Sequence, residues 1–230
     1  MKVELIAYTP NPDYVCTVAS QTCVSHNIPK DGLVAPASLK HAIASGHESV
    51  TEHASFSFAI SGVSRALTHQ LVRHRLASYS QQSQRYVNME EFEYVIPVSM
   101  DGRVIVEYDF FRNRNGYVPI REMFADIMEN LRRYYKRMID AGIPEEDARY
   151  ILPNATCTNI VVSVNARELR HMAEERMCAR AQWEIRELVT KMVELAKEVA
   201  PTLFEGVGAR CEQLGYCIEQ RGCGKYPKKS

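Results

Sequence analysis

The apolar pattern of this 230-residue chain predicts an α+β protein, one domain with an antiparallel or mixed sheet flanked by long helices. Segments alternating like strands and segments spaced like helices follow one another without the strand–helix–strand rhythm of a parallel sheet. No repeat, low-complexity stretch or linker marks a boundary, so 1–230 reads as a single domain with about 205–230 as a C-terminal tail. The length suffices to bury a core.

"KVELIAY" alternates from the start and predicts a strand. "PASLKHAIASGH" has proline near its start and Gly46 at its end, the punctuation of a short helix. "ASFSFAIS" puts Phe56, Phe58 and Ile60 on one face of a half-buried strand. "GVSRALTHQLVRHR" then changes to helical spacing, with Val63, Leu67 and Leu71 as the apolar stripe. "EYVIPVS" predicts a weak strand, and "PIREMFADIMENLRRYYKRMIDAG" a long amphipathic helix ended by Gly142. "PEEDARYIL" is a short helix started by proline. "TCTNIVVSVNA" is the clearest strand and leads into "NARELRHMAEERM", where Asn165 and Glu168 have capping-box spacing. "AQWEIRELVTKMVELAKEVAPTLFEGV" closes the chain as a long helix.

Lys+Arg and Asp+Glu balance at 28 each, so no overall charge draws the chain to nucleic acid or a membrane, and any bound anion needs a local cluster. The N-terminus has no secretory signal pattern and no spanning run of about 20 apolar residues, which makes the cytoplasm the expected location. Seven cysteines in that setting are expected to be reduced thiols. Cys211, Cys217 and Cys223 lie six apart, whereas zinc sites pair cysteines about two to four apart, so no metal is expected there.

Such a local cluster lies in "HQLVRHRLASYSQQSQRY", where His69, Arg73, His74 and Arg75 fall within seven residues. On a helix Gln70, Arg73 and His74 share one face while Leu67 and Leu71 point to the core. Cations at a helix C-terminus can be a solvated end favoured by the dipole. The continuation argues further: "SYSQQSQR" adds serines, glutamines and Arg85 without an aliphatic anchor. Guanidinium groups fork onto phosphate oxygens while hydroxyls and amides complete the shell. The chemistry points to a phosphate or pyrophosphate ligand.

"GHESVTEHASF" gathers His47, Glu48, Glu52 and His53, but its histidines are six apart rather than the four of a zinc-protease helix. A ligand-positioning loop, or ordinary capping, is expected instead. In "NARELRHMAEERMCARAQWEIR", Arg167 and His171 share a face, whereas Arg176 is half a turn out of phase. Either the helix breaks near Cys178, or it serves two ligands or two subunits. Arg170–Glu174 and His171–Glu175 have the spacing of ordinary helix ion pairs. No P-loop, nucleophile elbow or dinucleotide-binding glycine pattern occurs.

The segment from Arg73 through Arg75 to Ser83 and Arg85 resembles the signature of the flavin-dependent thymidylate synthases. "GHESVTEHASFSF" before it, and "RYILPNATCTNIVVSVNAREL" and "RMCARAQWEIR" after it, resemble the family in the same order. The resemblance implies reductive methylation of dUMP to dTMP, with methylenetetrahydrofolate as carbon donor, NADPH as electron source and FAD as hydride carrier. It also implies an α+β homotetramer with active sites where subunits meet, and no nucleic-acid or membrane partner.

Carried over, Ser25, Ser49, Glu52, Arg73, His74, Arg75, Asn165, Arg167 and His171 match flavin-contacting positions. Gln70, Arg73, Gln81, Ser83, Gln84, Arg85, Arg149 and Arg176 match nucleotide-contacting ones. Arg85 and Arg149 suit the phosphate, Arg176 the uracil carbonyls, and His47 a place near the flavin ring. Arg176, His47 and Ser83 are thus the candidates for the reacting centre; Ser83 has no base beside it in the sequence and is assigned to binding. The family often has Asn-Glu where this chain has Ser80-Gln81, and Asn where it has His171.

Two other readings use the same residues. A nucleotide- or RNA-binding protein would use the arginines but calls for a basic surface and interleaved aromatics. A simple flavin reductase would need the flavin residues without Arg85 and Arg149.

Overall fold

A computed structural model describes residues 1–29, 36–109 and 114–229. The elements follow in the order β1 (Lys2–Tyr8), α1 (Pro12–Thr22), α2 (Pro36–Ala44), β2 (Ser55–Ser64), α3 (Arg65–Leu71), β3 (Ala77–Gln81), β4 (Val104–Asp109), β5 (Arg114–Pro119), α4 (Ile120–Asp140), α5 (Glu145–Ala148), β6 (Cys157–Asn165), α6 (Ala166–Arg176), α7 (Trp183–Val199) and α8 (Arg210–Leu214). The class is α+β, as the mixed periodicities predict. A four-stranded sheet runs β1-β2-β6-β3, and β4 and β5 form an antiparallel hairpin. None of the described helices is long and apolar enough to cross a membrane.

The chain forms two compact units, Met1–Ser61 with His69–Ser80 and Ile160–Ser230, and Gly62–Thr68 with Gln81–Asn159. The first contains most of the four-stranded sheet. Alternation buries Phe56, Phe58 and Ile60 of β2 and Ile160, Val162 and Val164 of β6. Phe56 meets Phe204 edge to face at 5.4 Å, and α7 contributes Ile185, Leu188, Val189 and Met192, all fully buried. Burial of each such side chain stabilises by about 1.5–3 kcal/mol. Between Leu5 and Ala7 the β1–β2 register slips, which leaves Ile6 unpaired and 54% exposed. Asp13 of α1 accepts the backbone N–H groups of Thr202 and Leu203 at 2.8 and 3.0 Å, tying the end of the α7 segment to the N-terminal helix.

The second unit packs α4 over a small core of Met89, Phe92, Met128, Tyr135 and Ala148. Tyr135 is fully buried, and its hydroxyl accepts the Met89 N–H at 3.3 Å. Arg132 donates from Nε to the Phe92 carbonyl at 3.0 Å and lies over the Phe92 and Tyr94 rings. At the C-terminus of α4, Gly142 takes φ 83°. Its N–H reaches the Ile139 carbonyl at 2.8 Å, and the Ile143 N–H reaches Met138 at 3.0 Å, a Schellman ending that requires the left-handed residue.

Several expectations give way. α3 is only seven residues long: Val63 belongs to β2, and the helix ends at Leu71, so Arg73, His74 and Arg75 follow it rather than line its face. Gly62, with φ 67°, lies in β2 just before Val63. The polar stretch after Arg75 contains the strand β3. "EYVIPVS" forms no strand beyond one bridge, Tyr94 to Thr156. The closing helix stops at Val199, before Pro201.

Candidate functional site

In the first unit, the loop after α3 is anchored by Tyr79 of β3. Its hydroxyl contacts the carbonyls of Leu71 and His74 at 2.9 and 2.8 Å, closing orphan acceptors at the helix end. The loop turns His74 inward, where it is 4% exposed, and leaves Arg73 and Arg75 facing solvent. Neither arginine has an ion-pair partner among the described residues. Of the three cluster residues, then, only the arginines are open to a ligand, and the histidine is part of the interior.

His74 is held from both sides. Its Nδ1 lies 3.2 Å from Glu168 Oε1, and Arg176 donates from Nε to His74 Nε2 at 3.0 Å. Burial, and then the Arg176 charge, push the His74 pKa down to about 4, against the opposing pull of Glu175. Burial raises the Glu168 carboxyl, with His171 acting against it. Asn165 caps α6 as its spacing predicts, accepting the Glu168 N–H at 2.9 Å. The Glu168 side chain does not complete a capping box; it is turned to His74.

α6 ends at Arg176, so the helix breaks near Cys178, but Arg167 and Arg176 both lie on α6 and stay half a turn out of phase. At its start, Arg167 binds Glu52 and lies 4.0 Å from Glu48. Arg170 does not pair with Glu174: it donates to the Leu203 carbonyl at 2.6 Å and lies 3.8 Å from Glu48, while Glu174 takes Arg210 at 3.1 Å. The His171–Glu175 pair forms as spaced, at 3.6 Å. Ser25, His47, Ser49 and His171 are exposed.

His74, His171 and Glu175 bring two imidazole nitrogens and a carboxylate oxygen within 4.8 Å of one another. That donor set suits zinc, but the Arg176 guanidinium already occupies His74 Nε2. Beside Arg176 lies a cleft of about 360 Å³ whose lining includes Glu174, Glu175, Cys178, Cys211 and Cys217. None of the seven cysteines is in a disulfide.

The second unit holds the other predicted residues except Gln70, which lies in the first. Arg85 donates from Nε to Glu146 Oε2 at 2.9 Å, and its Nη2 lies 2.8 Å from the same oxygen as an ion pair. Arg149 donates from Nε to the Glu146 backbone carbonyl at 2.9 Å. Glu146, unremarked in the sequence, therefore gathers the two arginines that the family resemblance assigns to a phosphate. Arg65 is a second residue that sequence reasoning missed. It donates to the Gln82 carbonyl at 2.7 Å, its Nε has no hydrogen-bond partner, and burial followed by the nearby Arg149 charge lowers its pKa. Ser83 Oγ accepts the Arg85 N–H at 3.2 Å and shapes the turn. Gln81 donates from Nε2 to Thr68 and Thr158 at 3.0 and 3.3 Å, so its amide nitrogen serves the fold. Gln70 and Gln84 are half-buried.

The buried imidazole gives a pH signature. Its folded pKa of about 4 lies below the ordinary 6.5, so in that window the unfolded chain takes up a proton that the folded protein refuses. Stability is full above pH ~6.5 and falls as the pH drops toward 4, by roughly 2–3 kcal/mol between pH 7 and pH 4.5. Glu168, with its raised pKa, acts in the opposite sense. Urea unfolding at both pH values is expected to show a larger loss in the wild type than in His74→Gln; equal losses would contradict a neutral buried His74.

Residues 4–202 match the family model described as thymidylate synthase complementing protein. The flavin-dependent thymidylate synthase of Nitratidesulfovibrio vulgaris is 42% identical over 245 residues, covering 98% of this chain and 95% of that protein. The protein of the same name from Geobacter sulfurreducens is 43% identical over 234 residues, at 98% and 94% coverage. That of Pyrococcus abyssi is 46% identical over 193 residues, covering 78% and 73%.

Proposed function

Because the chain belongs to the thymidylate synthase complementing protein family, we propose that it is a flavin-dependent thymidylate synthase. It converts dUMP to dTMP by reductive methylation, with methylenetetrahydrofolate as carbon donor and NADPH as electron source. It acts in the cytoplasm as a homotetramer with sites where subunits meet, and residues 1–230 work as one functional domain. The observation that carries this reading is the likeness to proteins of that name over 98% of the chain.

The donor set fits FAD. A pyrophosphate needs cations not already neutralised, and the exposed Arg73 and Arg75 meet that need. Ser25, Ser49, Glu52, Asn165, Arg167 and His171 complete the flavin set, with His47 near the ring and His74 anchoring the segment that carries both arginines. When bound, FAD supplies the hydride. Arg85 and Arg149 take the nucleotide phosphate. Gln70, Arg73, Gln81, Ser83 and Gln84 add hydrogen bonds. Arg176 keeps donors beyond Nε, since a guanidinium carries five N–H groups; these face the uracil carbonyls and stabilise negative charge developing there.

An absorbance spectrum of the purified protein tests the flavin half, and dUMP titration the nucleotide half. A colourless protein that takes up no FAD would sink the proposal, and flavin without dUMP binding would leave only a reductase. Within this reading Arg75→Ala is expected to lose FAD while changing stability by under ~0.5 kcal/mol, as for an exposed site without partners. Thermal melts and flavin titration check it; a variant that unfolds, or that when folded keeps its FAD affinity, would mean that Arg75 serves the fold.

A further inference from the structure

We infer that Glu168 is a positioning residue for Arg176, acting through the His74 ring. The inference rests on the assignment of Arg176 to the nucleotide.

The polarity of the chain Glu168–His74–Arg176 follows from donor chemistry. A guanidinium only donates, so the 3.0 Å contact from Arg176 Nε makes His74 Nε2 the acceptor. A neutral imidazole then carries its hydrogen on Nδ1. Buried at 4% exposure, that N–H needs an acceptor, and Glu168 Oε1 stands 3.2 Å away, itself on a residue only 5% exposed. Each member is pinned separately. Asn165 holds the Glu168 backbone N–H, Tyr79 contacts the His74 carbonyl, and Arg176 ends α6. The remaining groups around the ring are Glu175, with Oε2 4.0 Å from His74 Nε2, and His171, whose ring lies edge-on at 6.0 Å. Neither contacts Nδ1. A capping-box glutamate would ordinarily reach back to the cap residue's own N–H; here that side chain serves the imidazole.

Remove the Nδ1 acceptor and a buried N–H is left unpaired. The ring can relieve this only by turning away or by shifting its hydrogen to Nε2, and either change takes the acceptor from Arg176 and releases it from its place. Misorientation of a binding group by even about an ångström is costly to a reaction. A glutamine at 168 retains an amide oxygen that can accept from Nδ1–H, so the tautomer survives without the charge.

The test compares FAD-loaded wild type, Glu168→Gln and Glu168→Ala by calorimetric titration with dUMP, together with ¹⁵N NMR of the His74 ring. Glu168→Ala is expected to weaken dUMP binding about tenfold or more, the effect of one buried group losing its partner. Glu168→Gln is expected to stay within about threefold. The NMR should report a hydrogen-bearing Nδ1 and an Nε2 that accepts a hydrogen bond in wild type and Glu168→Gln, and an Nε2 that has lost that hydrogen bond in Glu168→Ala. If Glu168→Ala does not fold, Glu168→Asp, too short to reach the ring, takes its place with the same expectation. Unchanged dUMP affinity in the folded variant, or equal weakening in Glu168→Gln and Glu168→Ala, would overturn the inference. If the wild type itself fails to bind dUMP, the assignment of Arg176 falls, and the NMR signals still decide the tautomer.

Discussion

Arg176→Ala is expected to lower the rate of dTMP formation by about 10²–10³-fold, the loss typical when one preorganised donor to developing charge is removed. The structure explains why the effect should be large without loss of the fold. Arg176 sits on the last turn of α6, with its side chain 24% exposed, and its Nε bonded to a neutral imidazole rather than to a tight carboxylate partner. Its Nη2 lies 3.8 Å from Glu175, a contact at an exposed glutamate. The guanidinium is thus oriented by His74 but not neutralised by it. A ground-state binding role alone would raise KM and leave kcat unchanged, whereas charge stabilisation in the transition state lowers kcat. Arg176→Lys should restore only part, because an ammonium retains charge but not the fork. Steady-state kinetics on variants shown to hold FAD decide it; a variant with wild-type kcat would refute the role.

The second large effect is expected at Arg85. Arg85→Ala should weaken dUMP binding at least tenfold, where each ~1.4 kcal/mol is a factor of ten, while FAD stays bound and reducible. In the structure its fork already grips a carboxylate, Glu146, with two nitrogens on one oxygen. Half-exposed ion pairs of this kind contribute only ~0–1 kcal/mol to stability. A phosphate can therefore replace Glu146 at small cost, and losing Arg85 should barely shift the melting temperature. Calorimetric titration of the FAD-loaded variant with dUMP is the check. Unchanged affinity would remove this segment from the phosphate site.

How much of this was legible in the sequence depends on the physics behind each element. β1, α2, α4, β6 and α6 declare themselves through apolar periodicity and end signals, and Asn165 capped α6 as its spacing implied. α1 gives little signal although Pro12 and Asp13 mark its start, because the residues it buries, Pro12, Cys16, Thr17 and Ser20, are small or polar and form no apolar stripe. β3 was invisible because its residues, Ala-Ser-Tyr-Ser-Gln, have no apolar face and owe their strand form to β6 beside them. α3 was overextended because Val63 falls in helical phase with Leu67, while the chain is still strand at that point.

For the candidate site, the sequence supplied the residue types and left the partners open. His74 and Glu168 are 94 residues apart, and only tertiary packing joins them. Local spacing suggested Arg170–Glu174, but Glu48 and Arg210 are the partners that the fold brings nearer. Glu146 carried no signal, because one acid among Glu145, Glu146 and Asp147 looks like ordinary helix-start charge.

The central claim is tested most directly by incubating the purified chain with FAD, NADPH, methylenetetrahydrofolate and dUMP under anaerobic conditions and quantifying dTMP by chromatography. The account predicts dTMP formation that requires all four components and is lost in Arg176→Ala. A flavin-loaded wild-type protein that oxidises NADPH yet forms no dTMP would contradict it.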